Sequence, residues 1–555
     1  MTTPPPTAST TAEQPAKAEK PKEKPKAAPK KRKRSPAATS RKKKEPAAPK
    51  LLPPPKQILL VDNGGDALKY GLVSKHERPE HLPNVTSKLQ HQWTVLVGDE
   101  IHTVQATQLG KLVRSMERGC VTNLGNQVQV WKRMLDLLRI QVSMASEAAQ
   151  AFGWKVARQT NKQQPLYTPQ TMAVLLLVPP FLPRTMVEQI MYVWFHDFGF
   201  SHVGLATSAL FGADLSSPTG CSCVVDMGWG STHVVPTVEG TTTAETSASI
   251  RRIGLGGRHM VNLWKYYCSY RQWNLMDAEY LLRDAHHQLA FVSTDFDADM
   301  DQASRLVAGK RTYDREFVLP DYQTAFQGVV RLPPALRQAE QALDQSSAME
   351  TETPENEGNG DQKDEDNDDD DDDDDDEQGD SDEEESEEQM RRRILRQREA
   401  EERRRREEEL ERQVLHVSVE RFTIPEILFR PTDAGLDRGM AGLPQAVVSS
   451  ILSCPKKYHA AMFGSIRIIG GVSKLPGLQE RLERELRSLA PTQYKVSVSF
   501  SDNPIDQVWK GAKQWVESTL YQSWSISKDE FTASPKAKDG PAWHRLLVGN
   551  KGRLV

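Results

Sequence analysis

Two segments of the chain share one pattern, in which an apolar run ends in Asp-x-Gly and is followed by small residues and a second run. The first segment, ILLVDNGGDALKYG, places its aspartate at Asp62, and the second, CVVDMGWGSTHVVP, places its aspartate at Asp226. Each segment predicts a strand, a tight turn and a return strand. Strands also alternate with amphipathic helices, so we predict an α/β fold with a duplicated unit whose two hairpins face each other.

The residue types in these hairpins suit a phosphate chain bound between them. Glycines let backbone N–H groups approach phosphate oxygens, an aspartate can hold a hydrated divalent cation, and a lysine supplies a point charge. Two more glycine-rich turns lie at 254–260 and 468–477. One such turn alone is typical of ordinary structure, but four in this order indicate a nucleotide pocket. The candidate nucleotide-binding residues are Asp62, Gly64, Gly65, Lys69, Asp226, Gly228, Gly230, Gly256, Gly257, Gly470, Gly471 and Lys474, and the candidate magnesium ligands, acting through water, are Asp62 and Asp226.

Charge is strongly segregated along the 555 residues, although the net charge is only −4. Residues 1–50 hold 15 lysines and arginines against four acidic residues, whereas residues 350–388 hold 25 acidic residues and one lysine. Neither segment can bury enough apolar surface to offset its ordering entropy. We therefore predict four parts: a disordered basic tail (1–56), a first part of the body with both hairpins (57–331), a disordered acidic insertion with a charged helix (332–414), and a second part of the body (415–555).

Cysteine usage and hydropathy exclude several classes of protein. The five cysteines are an odd number, are widely spread and lack metal-ligand spacing, which is typical of a reducing compartment. No run of about eighteen apolar residues is present, and the N-terminus lacks an apolar signal core. The sequence therefore predicts a protein that neither spans a membrane nor is secreted.

The motifs resemble those of actin and the actin-related proteins over nearly all of 57–331 and 415–555. The two hairpins are similar to the two phosphate loops of that family, and RRIGLGGRHM, IGGVSKLPG and VWKGAKQWV follow in the actin order. The resemblance implies the actin fold, with two lobes and four subdomains around a nucleotide cleft. It also implies that ATP with magnesium is the ligand of the cleft.

Several positions depart from the actin pattern. Gly65 and Asp66 stand where actin has a serine and a glycine that touch phosphate, and Trp229 replaces an aspartate. The segment LLRDAHHQLAFV is similar to the one that cradles adenosine, so Arg283 joins the candidate nucleotide-binding residues. His286 and His287, however, take the places of a lysine and of the glutamate that accepts from the ribose. These histidines are equally interpreted as surface residues of a helix.

A further departure concerns hydrolysis. Actin orients the attacking water with a glutamine on a helix, which corresponds here to HVGLATSALFG, and no glutamine lies between His202 and Gly212. Without a group that orients water, the barrier should rise by several kcal/mol. We therefore predict that the chain is not an enzyme and that bound ATP acts as a structural clamp. The segment from Pro83 to Gly98 is also shorter than the actin loop that inserts into the next protomer, so we expect no filament.

Two segments narrow the resemblance within the family. REFVLPDYQTAFQGVVR, from Arg315, and VERFTIPEILFRP, from Val419, are most similar to a nuclear actin-related subunit of the Swr-type chromatin remodeller, which exchanges canonical histone for the Z-type variant. This implies a non-catalytic scaffold that binds the motor ATPase and a zinc-finger subunit of that complex, together with nucleosomal histones and DNA. The alternatives are an active actin-like ATPase and an actin-related subunit of a different nuclear remodeller.

The two charged tracts each have two interpretations. The N-terminal clusters predict a bipartite nuclear import signal or a solvated tail attracted to DNA, and both place the protein in the nucleus. The acidic tract predicts a polyanion that binds basic histone surfaces or a solubilising insertion. The candidate import residues are Lys30, Lys31, Arg32, Lys33, Arg34, Arg41, Lys42, Lys43 and Lys44.

Overall fold

The computed structural model describes residues 55–89, 94–103, 109–142, 165–213, 219–320, 327–349, 395–398, 401, 405, 413–433, 435–436 and 439–533. The candidate import residues, the acidic tract and most of the predicted charged helix lie outside these ranges. Of that helix, 395–398, 401 and 405 are described and are helical. The described residues all belong to one compact unit, Pro54–Val555.

The secondary structure alternates strands and helices, as the periodicity predicts. The strands are β1 (Gln57–Asn63), β2 (Ala67–Leu72), β3 (Glu80–Pro83), β4 (Val85–Leu89), β5 (Val95–Val97), β6 (Leu109–Arg114), β7 (Met116–Glu117), β8 (Cys120–Val121), β9 (Met172–Val178), β10 (His202–Thr207), β11 (Cys221–Met227), β12 (Thr232–Val238), β13 (Arg251–Ile253), β14 (Arg315–Val318), β15 (Val329–Arg331), β16 (Val414–Val417), β17 (Ile466–Ile469), β18 (Val498–Phe500) and β19 (Ser525–Ser527). The helices are α1 (Leu124–Leu137), α2 (Arg184–Tyr192), α3 (Ala244–Ser247), α4 (Gly257–Arg271), α5 (Glu279–Leu289), α6 (Phe296–Arg305), α7 (Pro334–Met349), α8 (Glu420–Thr423), α9 (Leu443–Ser453), α10 (Lys456–Phe463), α11 (Leu478–Leu489), α12 (Gln507–Ser518) and α13 (Lys528–Ala533).

Two large sheets repeat one topology. In the first, the order β3-β2-β1-β9-β10 is followed by β19 at the edge, and in the second the order is β13-β12-β11-β17-β18. In both, an antiparallel hairpin (β1–β2, β11–β12) lies beside a strand that runs parallel to the first hairpin strand. The duplicated fold predicted from the two Asp-x-Gly segments is therefore confirmed.

Each large sheet has a smaller antiparallel sheet inserted in its sequence. The sheet β5-β4-β6 lies between β3 and β9 in the chain, and the sheet β15-β14-β16 lies between β13 and β17. Two large and two small sheets account for the four predicted subdomains. We call the first large sheet with its small sheet the first lobe, and the second pair the second lobe.

The small sheet of the second lobe holds both ends of the predicted insertion. Val318 of β14 pairs with Val414 of β16, and β15 pairs with the other edge of β14. The sequence predicts that irregular structure begins at 332. The structure instead has a helix, α7, from Pro334 to Met349. Its sequence, rich in Ala, Gln and Leu, has high helix propensity, and proline is well tolerated in the first turn of a helix.

The two lobes share an apolar core beneath the cleft. It joins Leu60 and Leu175 of the first large sheet with Val224 and Ile469 of the second, and α12 packs into it through Trp509. The indole N–H of Trp509 donates to the Leu60 carbonyl at 3.3 Å. Burial of these side chains joins the two lobes at the base of the cleft.

The resemblance predicts a helix for the segment HVGLATSALFG. The structure shows that this prediction is wrong. The first part of the segment is β10, all six residues of which are buried, and its second part is a 3₁₀ turn, Ser208–Gly212. The apolar and β-branched residues of β10 pair between β9 and β19, so its backbone hydrogen bonds are made within the sheet. Among the described residues, no helix is long and apolar enough to cross a membrane.

Candidate nucleotide cleft

The two hairpins and the two other glycine-rich turns line one cavity of about 720 Å³. A cavity of this size is typical of a site for a small molecule or cofactor. Gly256 lies behind the cavity wall, where a Cβ atom would come within 2.5 Å of the Gly228 carbonyl oxygen, so the close approach of the two turns requires glycine. The candidate residues that line the cavity are Asp62, Gly64, Gly65, Lys69, Asp226, Gly228, Gly230, Gly257, Arg283, Gly470, Gly471 and Lys474.

A lysine and two aspartates lie together at the base of the cavity. Asp62 is opposite Lys69 in the β1–β2 register, and the Lys69 ammonium lies 2.9 Å from an Asp62 carboxylate oxygen. Burial opposes the charge of Lys69, but the carboxylates of Asp62, Asp226 and Asp66 outweigh it and raise the lysine pKa. Lys69 therefore stays cationic and is available to a phosphate only in competition with Asp62.

Asp226 lies at the matching position in the second hairpin. Burial, together with the negative charge of Asp62, raises the pKa of Asp226 to about 6, and the charge of Lys69 and a hydrogen bond from the Ser208 hydroxyl partly offset this. Two carboxylates that repel each other are stabilised when a cation binds near both. The base of the cleft thus fits a hydrated magnesium ion held by Asp62 and Asp226, with glycine N–H groups available to phosphate oxygens. In the described part of the chain, no group of three His, Cys, Asp or Glu residues could hold a metal directly.

His233 belongs to this cluster and was missed in the sequence. It faces Asp226 across the β11–β12 register and lines the cavity. Burial lowers its pKa to about 4, so the imidazole is neutral near pH 7. Its spacing in the sequence could have identified it, because His233 follows Asp226 by the same number of residues as Lys69 follows Asp62.

Asp66, which we expected to repel phosphate unless it turned away, is held by two arginines. One Asp66 carboxylate oxygen lies 3.1 Å from the Arg114 guanidinium, and the other lies 2.8 Å from the Arg283 guanidinium. Arg114 also donates to Glu279 at 2.7 Å. Arg283, assigned to the nucleotide by resemblance, therefore binds a protein carboxylate. Arg114 carries no motif in the sequence and could not have been identified there.

Trp229 lies against the same arginines. The Arg114 guanidinium is 4.6 Å and the Arg283 guanidinium 5.8 Å from the Trp229 ring centroid, which is within cation–π range. The ring also packs on Gly257, where a Cβ atom would approach ring carbon Cε3 to 2.9 Å. Its buried indole N–H has no hydrogen-bond partner among the residues that the structure describes.

The family model for actin matches residues 54–536. The chain belongs to the actin family. Curated relatives include the actin-like protein ARP6 of Cryptococcus neoformans (25% identical, covering 85% of this chain and 82% of the relative), and the proteins named actin-related protein 6 of Oryza sativa subsp. japonica (27%; 85% and 95%) and Drosophila melanogaster (23%; 85% and 96%). These names agree with the class predicted from the sequence.

The two histidines that depart from the actin-family pattern have different environments. His286 is not a surface residue: it is 4% exposed, its ring lies 6.3 Å from that of Trp264, and burial lowers its pKa to about 3. His287 is exposed at the rim of the cleft. Neither imidazole replaces the carboxylate that accepts from ribose hydroxyls in actin. The cleft thus has residues at its base that fit phosphate and magnesium, and it has two imidazoles where the resemblance to actin predicts a lysine and a glutamate.

Proposed function

We propose that the chain is a non-catalytic, actin-fold scaffold subunit of a nuclear chromatin-remodelling complex, the Swr-type complex that exchanges canonical histone for the Z-type variant. The observation that carries the non-catalytic part is that three cations of the cleft are already paired with protein carboxylates. Lys69 binds Asp62, while Arg114 and Arg283 bind Asp66. The assignment to this complex is supported by the two segments at 315–331 and 419–431 and by relatives named actin-related protein 6.

ATP with magnesium is a structural ligand in this proposal. Asp62 and Asp226 would hold the hydrated ion, and Lys69 with the glycine turns would contact phosphate. The ion would relieve the repulsion between the two carboxylates and add to the contacts that join the lobes, so binding stabilises the folded chain by mass action. The cavity lining brings Ser208 to Asp226, and the Asn63 amide, which also lines the cavity, is already hydrogen-bonded to Met116, Gln127 and Trp131.

A surface on α4 and the residues after it supports a role in binding other proteins. Tyr266 and Tyr270 are 62% and 82% exposed and their rings stack with an interplanar angle of 9°, and Trp273 beside them is 43% exposed. Exposed aromatic clusters are frequent at protein interfaces. In the proposal this surface contacts the motor ATPase or the zinc-finger subunit, the acidic insertion contacts nucleosomal histones, and the basic tail contacts importins or DNA.

A nuclear pull-down tests the scaffold role. Nuclease-treated nuclear extract is incubated with the full-length chain, with a deletion of 332–413, and with Tyr266→Ala/Tyr270→Ala, and bound proteins are identified by mass spectrometry. We expect a variant-exchange motor from the first two and at least ~10-fold less from the third, since interface aromatics each contribute about 1–2 kcal/mol or more. Tyr192→Ala, at an exposed tyrosine stacked on His196, is the matched control. Recovery of another remodeller's motor, or of none, refutes the assignment.

Localisation is tested separately with a fluorescent fusion. Replacement of the lysines and arginines of both basic clusters by alanine should move the fusion from the nucleus to the cytoplasm. A nuclear signal that is unchanged by this replacement contradicts the import role of the clusters.

An active ATPase is the second candidate, and one observation favours it. Asp226, with a pKa of about 6, has a basicity suited to accepting a proton near neutral pH. Turnover by the purified chain that disappears in Asp226→Ala would establish this function in place of the scaffold. Turnover no higher in the wild type than in Asp226→Ala supports the scaffold.

A further inference from the structure

One carboxylate ties the two lobes together across the mouth of the cleft. We propose that Asp66 is an internal anion that takes the place of the terminal phosphate of a nucleotide, so that the lobes close without ATP and a triphosphate binds more weakly than it would without Asp66. The four residues involved, Asp66, Arg114, Glu279 and Arg283, are called the cleft bridge below. The inference concerns the closed state alone and is independent of which complex the chain joins.

The connectivity of the cleft bridge crosses the cleft twice. Asp66 follows the glycines of the first hairpin, and Arg114 ends β6 in the first lobe. Glu279 and Arg283 lie one turn apart on α5, which packs in the second lobe. The bond from Arg283 to Asp66 (2.8 Å) and the bond from Arg114 to Glu279 (2.7 Å) therefore each join one lobe to the other.

Burial makes this network more than a surface ion pair. The Arg114 side chain is only 4% exposed, and its two carboxylate partners, Asp66 and Glu279, are 28% and 21% exposed. A buried guanidinium that loses one partner leaves charge without compensation, whereas exposed pairs contribute little. Opening the lobes separates Arg114 from Glu279 and Arg283 from Asp66, so the bridge resists opening.

Charge balance explains why the bridge disfavours a triphosphate. Two carboxylates and two guanidiniums are neutral together, and Lys69 at the base is already bound by Asp62. A terminal phosphate would bring added negative charge next to Asp66, and it could gain Arg283 only by breaking the 2.8 Å bond. Asp66 lines the same cavity as the phosphate-binding glycines, so the two anions compete for one place.

Trp229 fixes the geometry of the bridge. Its ring contacts the guanidiniums of both Arg114 and Arg283 and rests on Gly257. An aromatic face beside both cations holds their planes while the Asp66 oxygens accept from them. Trp229 thus holds the two guanidiniums in place, and the Asp66 carboxylate competes with the phosphate.

The test compares nucleotide binding and lobe opening in three variants of the full-length chain. Asp66→Gly removes the anion, Asp66→Asn keeps its size without charge, and Asp297→Asn is the control. Asp297 pairs with Arg430 at 3.3 Å, outside the cleft cavity. The probes are a fluorescent ATP analogue with magnesium, and hydrogen–deuterium exchange of β6 and α5 in EDTA without nucleotide.

We expect Asp66→Gly to bind the magnesium–ATP analogue at least ~10-fold more tightly than the wild type, which corresponds to about 1.4 kcal/mol. Without nucleotide, we expect its β6 and α5 amides to exchange at least ~10-fold faster, and ATP to reverse this. Asp66→Asn should show both effects more weakly and Asp297→Asn neither. The proposal is overturned if nucleotide affinity and exchange are the same in all variants, or if magnesium–ATP slows α5 exchange by the same factor in the wild type as in Asp66→Gly. Neither outcome depends on the pull-down or on the turnover assay.

Discussion

Asp226 offers the sharpest test of the electrostatics at the base of the cleft. Its carboxylate is confined near Asp62, and its pKa rises from an ordinary 3.8 to about 6. At 1.36 kcal/mol per pKa unit, the folded chain loses about 3 kcal/mol by keeping this group ionised above pH 6. Because the carboxylate is partly open to the cleft, the range to expect is about 1–3 kcal/mol. Asp226→Asn should therefore stabilise the fold at pH 7.5.

The sign of the pH dependence follows from linkage. A carboxyl group with a raised folded pKa takes up its proton first in the folded state, so its neutral form favours folding and this contribution is lost as pH rises through about 6. The gain in Asp226→Asn should be full at pH 7.5, fall to about half at pH 5 and be nearly gone at pH 4. A thermal melt in EDTA at each pH measures it as a rise of a few degrees in Tm.

A matched variant separates this effect from a general effect of removing a cleft carboxylate. Asp62→Asn removes the 2.9 Å partner of the Lys69 ammonium, and a buried cation left without its partner is costly. We expect this variant to melt below the wild type at pH 7.5. The reasoning is wrong if Asp226→Asn also melts lower, or if its gain is equal at pH 5 and pH 7.5.

Two further predictions concern packing. In Gly511→Val the new Cβ atom would lie only 2.2 Å from the Phe211 carbonyl oxygen, so α12 must shift. Tm should fall by several degrees, as for overpacking of about 1–3 kcal/mol. In Gly254→Ala nothing lies within 4 Å of the new Cβ atom, so Tm should stay unchanged, and equal Tm values for the two variants would contradict this account. His286→Leu should raise stability relative to the wild type by about 2 kcal/mol at pH 5, because a folded pKa of about 3 makes the wild type lose stability as pH falls below 6.5. A Tm difference that does not grow from pH 7.5 to pH 5 refutes this. His287→Leu, at a more exposed site where burial also lowers the pKa of the imidazole, should show a smaller difference of the same sign.

The fold could be predicted from local patterns because each large sheet is built from contiguous signals. The runs ending at Asp62 and Asp226 place both hairpins, and the all-buried run of β9 places a central strand. The prediction of a helix for HVGLATSALFG was wrong because these residues suit either a buried helix or a buried strand. Pairing with β9 and β19 decided in favour of the strand. The helix α7 was not predicted because the periodic pattern of apolar residues weakens at 332, where the insertion is predicted to begin. Residues with high helix propensity nevertheless continue to Met349.

The candidate site also contains both residues that the sequence predicted and residues that it did not. The glycine turns and the aspartates were visible in the sequence because backbone approach and cation binding demand those residue types at fixed spacing. The partners of Asp66 were not visible, since Arg114 and Arg283 lie 48 and 217 residues away from it. His286 was ambiguous in the sequence because a helix position alone does not tell which face meets Trp264.

By itself, the sequence determined the α/β class, the duplicated hairpins, the family and the residues at the base of the cleft. These are local properties, since strand periodicity, turn glycines and motif order are set by neighbouring residues. Only the tertiary structure decided that Asp66 binds one arginine from each lobe, that Trp229 rests against both, and that the pKa of Asp226 is raised by burial and by Asp62. Charge pairing and desolvation depend on distances between residues far apart in the chain, and folding alone sets those distances.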